Sequence, residues 1–396
     1  MSKHKCILLR GGRVLTPAGM INNGALLIRG HQIDFVGSLS DLPGLSEEYL
    51  ELDTPDSLIV PGFVDIHIHG VDGADAMDGS YEALDVMSRA LVRYGTTSFL
   101  PTTMTGDRGS LRQAARAVSE AATRGTSGAN LLGMHLEGPF ISINKKGVQN
   151  PEYARLPDIA ELEDLIELSG NQVRLVSIAP ELPGALRAIE RLTSRGITAS
   201  VGHSNATFAD VMKAVNCGLD HATHTFNGMK GFCHREPGTV GAVLALQQIK
   251  AEVIADMIHV DPIAIRVLVA AKGVDRVILI SDAIRAVGMP DGEYDLGGLA
   301  VTVTDGEARL KDGTLAGTTL TIIEAIRNMV DRVGVSIEEA LQMATINPAC
   351  SIGCDDRKGS LVVGKDADVT VLSRDLRVQK TIVMGKVVYD AVGETP

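Results

Sequence analysis

The sequence predicts an α/β protein in which a (β/α)8 TIM-type barrel is joined to a small β-sandwich domain. Between residues 61 and 353, apolar segments of strand length alternate with segments of helix length, which is typical of a parallel α/β architecture. Eight apolar segments can be counted there, the number of strands in the barrel. Short β segments with glycine turns occupy residues 1–60 and 354–396, and we expect these two ends to pair in one β domain.

The predicted barrel strands are short apolar runs, each followed by a turn. They lie at residues 63–67, 97–100, 131–136, 173–178, 198–201, 219–223, 252–255 and 277–280. Glycine turns near residues 291–313 interrupt the alternation after the eighth strand, which indicates a β insertion in the barrel.

The composition is that of an acidic globular protein. The 396 residues include 37 Lys and Arg against 49 Asp and Glu, a formal net charge of −12, which argues against a general binder of nucleic acid or anionic membranes. No apolar run approaches the roughly 20 residues that a membrane helix needs. The five cysteines are odd in number and scattered, so we expect no disulfide framework and a reduced, cytoplasmic protein.

Histidines and carboxylates follow several predicted strands, at the barrel end where TIM barrels carry their chemistry. His67 and His69 end the first strand on one face, about 6.6 Å apart along the backbone. Alone, this pair is equally consistent with polar residues alternating outward from an edge strand. Glu137 ends the third strand before Gly138-Pro139, where a metal ligand or acid/base competes with a solvated loop carboxylate.

The fifth and sixth strands are followed by His203 and His224, whereas His135 and His221 are expected to be core or outer residues. Asp282 follows the eighth strand, either as a helix cap or as a general base beside a metal-bound water. Taken together, four histidines and two carboxylates at strand ends predict the metal centre of a hydrolase barrel. Mixed nitrogen and oxygen ligands favour zinc or iron over magnesium or calcium.

A second cluster suits an anionic group on the ligand. Asn227-Gly228 and Arg235 follow the sixth strand, and His259 follows the seventh. An arginine fork, a histidine and backbone N–H groups beside glycines are typical of phosphate binding, although Arg235 alone is as well explained by an ion pair with Glu236. No Walker-type or Rossmann glycine motif follows a strand, so nucleotide use is not indicated.

Several motifs spread over nearly the whole chain resemble those of one enzyme family. They are Pro61-Gly62-Phe63-Val64-Asp65-Ile66-His67-Ile68-His69-Gly70, His135-Leu136-Glu137-Gly138-Pro139-Phe140, Gly202-His203-Ser204-Asn205-Ala206-Thr207, Thr223-His224-Thr225-Phe226-Asn227-Gly228-Met229, Arg235-Glu236-Pro237-Gly238 and Ala344-Thr345-Ile346-Asn347-Pro348-Ala349. The sequence resembles the N-acetylglucosamine-6-phosphate deacetylases of the amidohydrolase superfamily. The His-x-His pair is common to the superfamily, whereas the Phe-Asn-Gly-Met and Arg-Glu-Pro-Gly pieces are particular to the sugar-phosphate deacetylases.

The resemblance implies a role for each candidate residue. It implies that Glu137, His203 and His224 hold the principal metal ion, and that His67 and His69 hold a second ion with Glu137 bridging. Some members lack the His-x-His pair and use one ion, so its presence favours two divalent ions.

The resemblance further implies that Asp282 is the general base and later returns its proton to the leaving amine. Asn227, the Gly228 backbone, Arg235 and His259 would contact the phosphate and the sugar. It also implies a homodimer with phosphate contacts that cross between subunits.

Two positions depart from the family pattern. Gln149 replaces the histidine of the Lys-Lys-Gly-x-His-Asn-Pro motif, which in the family contacts the substrate. Glutamine can still donate a hydrogen bond but cannot be protonated. Met257 stands where an Asp-Gly-x-His pattern has glycine, so both departures leave the identity of the hexosamine open.

The leading hypothesis is metal-dependent deacetylation of an N-acetylhexosamine 6-phosphate, with the glucosamine sugar first and the galactosamine epimer as the alternative. Another amidohydrolase, acting on an amide that bears a carboxylate, would not need Asn227, Arg235 and His259 together. A catalytically inactive barrel kept as an oligomeric interaction module would be expected to have lost metal ligands, and all are present here.

Overall fold

The structure, a computed structural model, describes residues 6–45 and 48–392. Its strands are β1 (Cys6–Arg10), β2 (Arg13–Thr16), β3 (Gly19–Ile21), β4 (Gly24–Arg29), β5 (Gln32–Ser38), β6 (Leu50–Asp53), β7 (Leu58–Pro61), β8 (Phe63–Ile68), β9 (Gly70–Val71), β10 (Ala74–Asp75), β11 (Thr96–Pro101), β12 (Asn130–Leu131), β13 (Met134–Glu137), β14 (Val173–Ile178), β15 (Thr198–Val201), β16 (His221–Ala222), β17 (Lys250–Ile254), β18 (Val277–Ile280), β19 (Gly292–Leu296), β20 (Leu299–Thr304), β21 (Glu307–Arg309), β22 (Val369–Leu372), β23 (Val378–Val383) and β24 (Lys386–Asp390). Its α-helices are α1 (Tyr81–Leu91), α2 (Arg108–Arg124), α3 (Ile159–Leu168), α4 (Ala185–Ser194), α5 (Phe208–Asn216), α6 (Gly238–Ala245), α7 (Pro262–Lys272), α8 (Ile322–Asn328), α9 (Ile337–Ala344) and α10 (Ile346–Ser351).

Two curled parallel sheets form the centre of the molecule. One has the order β12-β11-β8 and the other runs β13-β14-β15-β16-β17-β18. Backbone hydrogen bonds connect their edges, since Thr103 N–H donates to the His135 carbonyl at 3.0 Å and His69 N–H donates to the Ala283 carbonyl at 2.9 Å. The carboxyl ends of these parallel strands therefore lie at the same end of the two joined sheets.

Burial on both faces explains why these strands are near-continuous apolar runs. All six residues of β8 and all four of β18 are buried. The helices between the strands are amphipathic: in α4 the buried residues Ala185, Ala188, Ile189 and Leu192 recur at helical spacing and face the sheet.

Strands from both ends of the chain share a sheet. Its order is β24-β23-β22-β7-β2-β3, and β22 pairs antiparallel with β7. A second sheet has the order β5-β4-β1-β6. Apolar side chains from both sheets form one buried cluster, which includes Leu9, Leu26, Ile59, Val369 and Ile382.

Each predicted barrel strand has a counterpart in the structure, and the third and sixth differ from the prediction in form. The third is divided into β12 and β13 around Gly133, which has φ 144° and where a side chain would collide with the Gln172 carbonyl oxygen. The sixth is shorter than predicted and consists of His221–Ala222 alone. The stretch predicted as an insertion contains an antiparallel sheet of β19, β20 and β21.

Among the described residues, no helix is long and apolar enough to span a membrane.

A buried ion pair fastens the segment after α10 to the start of β22. The Lys358 ammonium, 4% exposed, lies 2.5 Å from Asp368 and 3.0 Å from Asp366. Burial raises the pKa of Asp368 even though Lys358 opposes that rise. Asp366 also pairs with Arg357 at 2.8 Å, whereas Lys358 is the cation that compensates Asp368.

We expect Lys358→Met to destabilise the protein by about 3–5 kcal/mol, because it leaves the buried Asp368 carboxylate without its cation. Urea unfolding followed by circular dichroism measures this loss. Lys386→Met removes an exposed lysine from β24 and is the matched control, expected to change stability by no more than about 0.5 kcal/mol. Equal stability of the two variants would contradict this role of Lys358.

Candidate metal centre

Six of the sequence-predicted residues meet at the carboxyl end of the parallel strands. They are His67 in β8 with His69 just beyond it, Glu137 at the end of β13, His203 after β15, His224 after β16 and Asp282 after β18. All six are less than 9% exposed. The strand ends thus bring together side chains that are up to 215 positions apart in sequence, from residue 67 to residue 282.

Glu137 lies at the centre of this group. Its Oε1 atom is 2.9 Å from His224 Nε2, 3.1 Å from His203 Nε2 and 3.6 Å from His67 Nε2. Its Oε2 atom is 3.4 Å from His69 Nε2. One carboxylate therefore faces all four imidazoles.

Asp282 contacts only the His-x-His side of the group. Its Oδ1 atom is 3.1 Å from His69 Nε2 and 3.4 Å from His67 Nε2. Among the described residues, three sets of three side chains have ligand atoms within 4.8 Å of one another and so could each hold an ion. Two lie within the cluster, namely Glu137, His203 and His224, and His67, His69 and Asp282; the third is His67, His135 and Glu252.

The Nδ1 atoms of the four histidines are all engaged with oxygen atoms outside the cluster. The partners are Glu252 Oε2 for His67 at 3.0 Å, the Thr102 carbonyl for His69 at 3.2 Å, the Lys145 carbonyl for His203 at 2.9 Å and the Asn227 carbonyl for His224 at 3.2 Å. A proton on Nδ1 leaves the Nε2 lone pair directed inward, as metal-ligating histidines require.

The backbone turns sharply at three of these positions. His203, His224 and Asp282 have φ values of 45°, 29° and 49°, in the left-handed region that non-glycine residues rarely adopt. Such strain costs about 1–3 kcal/mol per residue and is concentrated at functional sites. Gly228 leaves room for this arrangement, because a Cβ there would lie 2.9 Å from His203 Nδ1.

The carboxylates and imidazoles of the cluster shift one another's pKa values. Burial alone would raise the pKa of Glu137, but the nearby His67 and His203 hold it well below its ordinary value. Burial likewise opposes ionisation of Asp282, yet His67 and the hydrogen-bonded His69 lower its pKa. Although burial opposes these shifts, the charge of Glu137 raises the pKa values of His67 and His203. The hydrogen bond that His69 donates to Asp282, together with the charge of Glu137, raises the pKa of His69.

The donor set fits a divalent metal ion. Buried His67 Nε2 has no hydrogen-bond partner among residues 6–45 and 48–392, which is costly unless a ligand occupies that direction. Four imidazole nitrogens with two carboxylates form the mixed set that zinc and related ions prefer. A cation bound here would balance the negative charges of Glu137 and Asp282.

A cavity of about 200 Å³ opens onto this cluster. It is smaller than the roughly 300–1,000 Å³ of pockets for drug-sized ligands, so it suits one small molecule. Nine sequence-predicted residues line it, namely His69, Glu137, Gln149, His203, His224, Asn227, Gly228, His259 and Asp282. His67 is fully buried beneath it.

The polar groups around the cavity have unused hydrogen-bonding capacity. The buried Asn227 Nδ2 atom has no partner in the part of the chain that the structure describes. The His259 Nδ1 atom pairs with Asp256 at 2.6 Å, which leaves the other ring nitrogen for a ligand. These groups are suited to a polar or anionic molecule.

Arg235 does not join the site within this chain. Its side chain is exposed and contacts His234 at 3.0 Å, and it does not line the cavity. Glu236, the ion-pair partner considered from the sequence, accepts instead from the backbone N–H groups of Phe208 and Gly238.

The two departures from the family pattern lie in different places. Buried Gln149 donates from Nε2 to Glu137 Oε2 at 2.6 Å and accepts the Thr105 N–H at 2.6 Å, so its amide is tied to the cluster as well as facing the cavity. Met257 has φ 67° and is not among the residues that line the cavity.

Sequence reasoning missed Glu252, in the middle of β17, and the cavity wall formed by Leu296, Thr314, Leu315 and Gly317. The signal for Glu252 was a single carboxylate within a buried apolar strand. His135 and His221 lie one layer below the cluster, bonded to Ser177 at 2.7 Å and Ser200 at 3.1 Å.

Comparison with known proteins places this geometry in a family. Residues 58–388 match the amidohydrolase family. N-acetylglucosamine-6-phosphate deacetylase of Bacillus subtilis (strain 168) is 40% identical over 387 residues, 97% of each chain. N-acetylgalactosamine-6-phosphate deacetylase of Escherichia coli O157:H7 is 38% identical over 379 residues, 96% of this chain and 98% of its relative. The crystal structure of N-acetylglucosamine-6-phosphate deacetylase from Pasteurella multocida superposes with a TM-score of 0.91 at 32% identity, covering 96% of this chain and 99% of the other.

The fold and the site define a hydrolase of the TIM-barrel type, from a superfamily that acts on C–N bonds with divalent metal. The chain belongs to the amidohydrolase family and, within it, to the N-acetylglucosamine-6-phosphate deacetylases.

Metal binding should release protons and weaken as the pH falls, because the raised pKa values of His67, His69 and His203 make protons compete with the ion. Calorimetric titration of metal-stripped protein with Zn²⁺, in buffers of different ionisation enthalpy, measures the release. His31→Gln, at an exposed histidine, should leave it unchanged. An apparent enthalpy independent of the buffer would be inconsistent with protonated ligands.

Proposed function

We propose that the protein removes the acetyl group from an N-acetylhexosamine 6-phosphate, with N-acetylglucosamine 6-phosphate as the preferred substrate. The amide C–N bond breaks, the oxygen of water joins the acyl carbon, and the products are acetate and the amino-sugar phosphate. The observation that carries the proposal is the convergence of four inward-facing Nε2 atoms with Glu137 and Asp282 in a small polar cavity. Relatives that share its length are named for this activity.

We propose that Glu137, His203 and His224 hold one divalent ion and that His67 and His69 hold a second, with Glu137 reaching both. The distances from Glu137 to all four imidazoles support this division. The mixed donor set favours zinc or iron. When bound, the metal would supply Lewis-acid chemistry, which polarises the acetyl carbonyl and makes water more acidic.

Asp282 is the general base in this proposal. Its carboxylate faces the cavity, and His69 and His67 fix its Oδ1 atom from one side. The lowered pKa keeps Asp282 ionised at neutral pH, so it can accept the proton of the attacking water. It then returns that proton to the departing nitrogen, which leaves as an amine.

Asn227, the Gly228 backbone and His259 would hold the sugar phosphate. The unpartnered amide of Asn227 and the available nitrogen of His259 both face the cavity. Gln149 would contact the acetyl end, since it borders Glu137. Because Gln149 departs from the family pattern at this end of the cavity, the galactosamine epimer is the second candidate substrate.

Acetate release from metal-replete protein tests the substrate. We expect N-acetylglucosamine 6-phosphate to react faster than its galactosamine epimer, and the unphosphorylated sugar to react far more slowly because Asn227 and His259 would lose their anion. Faster reaction of the epimer would replace the first substrate by the second. Absence of acetate from all three sugars, with metal content verified, would overturn the sugar-phosphate assignment.

Asp282→Asn should lower kcat by at least about 100-fold, since it removes the proton acceptor and donor. Metal content and substrate affinity should stay close to wild type, because asparagine keeps the shape of the side chain. Elemental analysis and calorimetry measure these two properties beside the kinetics. Asp275→Asn, at an exposed position before β18, is the control with full activity. Near-normal turnover of Asp282→Asn would remove Asp282 from the mechanism.

We propose that the enzyme is a homodimer in which Arg235 serves the partner's phosphate site. Arg235 is exposed and lies outside the cavity of its own chain. The neighbouring Phe232 is 63% exposed, an apolar side chain suited to a subunit contact.

Mixed dimers test this arrangement. Arg235→Ala should raise KM about tenfold or more, since a charged hydrogen bond contributes about 1.5–3 kcal/mol. Co-expressed, differently tagged Asp282→Asn and Arg235→Ala chains should recover one working site per mixed dimer when assayed at low substrate. The recovered site combines Asp282 of one subunit with Arg235 of its partner. Failure of purified mixed dimers to recover activity would place Arg235 in the site of its own chain, and an unchanged KM of Arg235→Ala would place it outside both sites.

We propose a closed (β/α)8 barrel over residues 61–353, with an insertion near 291–313, and a small β-sandwich domain from residues 1–60 and 354–396. The hydrogen bonds between the edges of the two parallel sheets support closure. The apolar cluster between the outer sheets supports the second domain. The scattered cysteines favour action in the cytoplasm.

A further inference from the structure

The carboxylate of Glu252 lies directly beneath the metal centre and contacts both of its halves. Its Oε2 atom is 3.0 Å from His67 Nδ1 and accepts the backbone N–H of His224 at 3.1 Å. We propose that Glu252 is a positioning residue that holds His67 and His224 in metal-binding geometry and so links the two ion sites. This inference rests on the metal centre of the proposed function.

The contact with His67 selects one tautomer of the imidazole. The carboxylate oxygen of Glu252 accepts a hydrogen bond from His67 when the imidazole carries a proton on Nδ1, so this contact favours the Nδ1–H tautomer of the neutral ring. The lone pair on Nε2 then points toward Glu137 and Asp282, which lie 3.6 Å and 3.4 Å away. Among the described residues, Glu252 is the partner of His67 Nδ1, and without it the ring would lose the contact that favours this tautomer.

His67 differs from the other three histidines in its support. The Nδ1 atoms of His69, His203 and His224 donate to backbone carbonyls, which are retained whatever side chains are present. His67 instead depends on a side chain. Among the four histidines, His67 is therefore the one whose ring orientation depends on a side chain that a substitution can remove.

The contact with His224 acts on the backbone. His224 has φ 29°, and its N–H reaches Glu252 Oε2 while the next N–H, of Thr225, donates to the main-chain carbonyl of Glu252 at 2.8 Å. Glu252 thus fixes the strained turn that directs His224 toward Glu137. A single oxygen atom contacts one ligand from each ion site.

Folding stability does not explain a carboxylate at this position. Glu252 is fully buried, and its strand neighbours Ala251 and Val253 are apolar and buried. Its Oε1 atom has no hydrogen-bond partner among the described residues and lies 3.8 Å from His221 Nδ1. Since apolar residues usually replace buried charges without loss of stability, a role in the site accounts for the retained charge.

Metal binding by two Glu252 variants tests the proposal. Glu252→Met removes the acceptor at similar volume and should weaken Zn²⁺ binding by about 10–100-fold in competition with a chelator. Glu252→Gln keeps an acceptor oxygen and should retain most of the affinity. Glu161→Met removes another buried carboxylate, which lies on α3 and pairs with Arg155. This control variant should bind Zn²⁺ as the wild type does. Unchanged affinity of Glu252→Met, or equal losses in both Glu252 variants, would overturn the proposal.

Histidine NMR gives a second measurement that does not depend on activity. With ¹⁵N-labelled histidine in metal-free protein, at a pH high enough for His67 to be neutral, the wild-type signal should show the Nδ1–H tautomer, and Glu252→Met should lose that preference. If Glu252→Met does not fold, the tautomer of wild-type His67 and the Zn²⁺ affinity of Glu252→Gln test the proposal. An Nε2–H form of wild-type His67 would overturn it. Failure of wild-type protein to bind Zn²⁺ would instead reject the metal centre itself.

Discussion

The negative charge of Glu137, buried among four imidazoles, is the constraint on which the rest of the site depends. Removing an isolated carboxylate from water costs several kcal/mol, and only close cations or donors offset that cost. Four imidazoles and the Gln149 amide must therefore be delivered within a few ångströms from separate parts of the chain. Parallel strands with their ends at one side of the molecule accomplish this, because each strand delivers its residues to the same edge.

The same requirement explains the strained turns. Side chains of a strand point alternately to its two faces, so a sharp bend beyond the strand can redirect a following side chain toward the centre. The positive φ values of His203, His224 and Asp282 provide this bend. Backbone hydrogen bonds hold it in place: Asp282 N–H donates to the His67 carbonyl at 2.9 Å and the Asp282 carbonyl accepts the Thr318 N–H at 2.9 Å. The strain is offset by bonds between neighbouring strand ends.

The positions of the strands and of the six converging residues could be predicted because apolar runs and the polar residues that follow them are local signals. The surroundings of Arg235 could not, since its irregular segment has no periodicity that fixes a direction. The engagement of Gln149 with Glu137 and Thr105 depends on how a loop folds over the cavity, which residue types do not specify. Glu252 was visible only as an exception to an apolar pattern, and its partners lie on other strands.

The shared sheet at the ends of the chain has a consequence for synthesis. Strand β7 cannot complete its pairing until β22 has been made, about 300 residues later, so its edge is exposed while the intervening chain folds. During translation the growing chain carries an unfinished sheet, which is a template for pairing with other chains. The sheet of β1, β4, β5 and β6 is complete early. It covers one face of the buried apolar cluster to which β22 and β23 later contribute side chains. Molecular chaperones that shield unpaired strands would therefore be needed most before the last strands emerge from the ribosome.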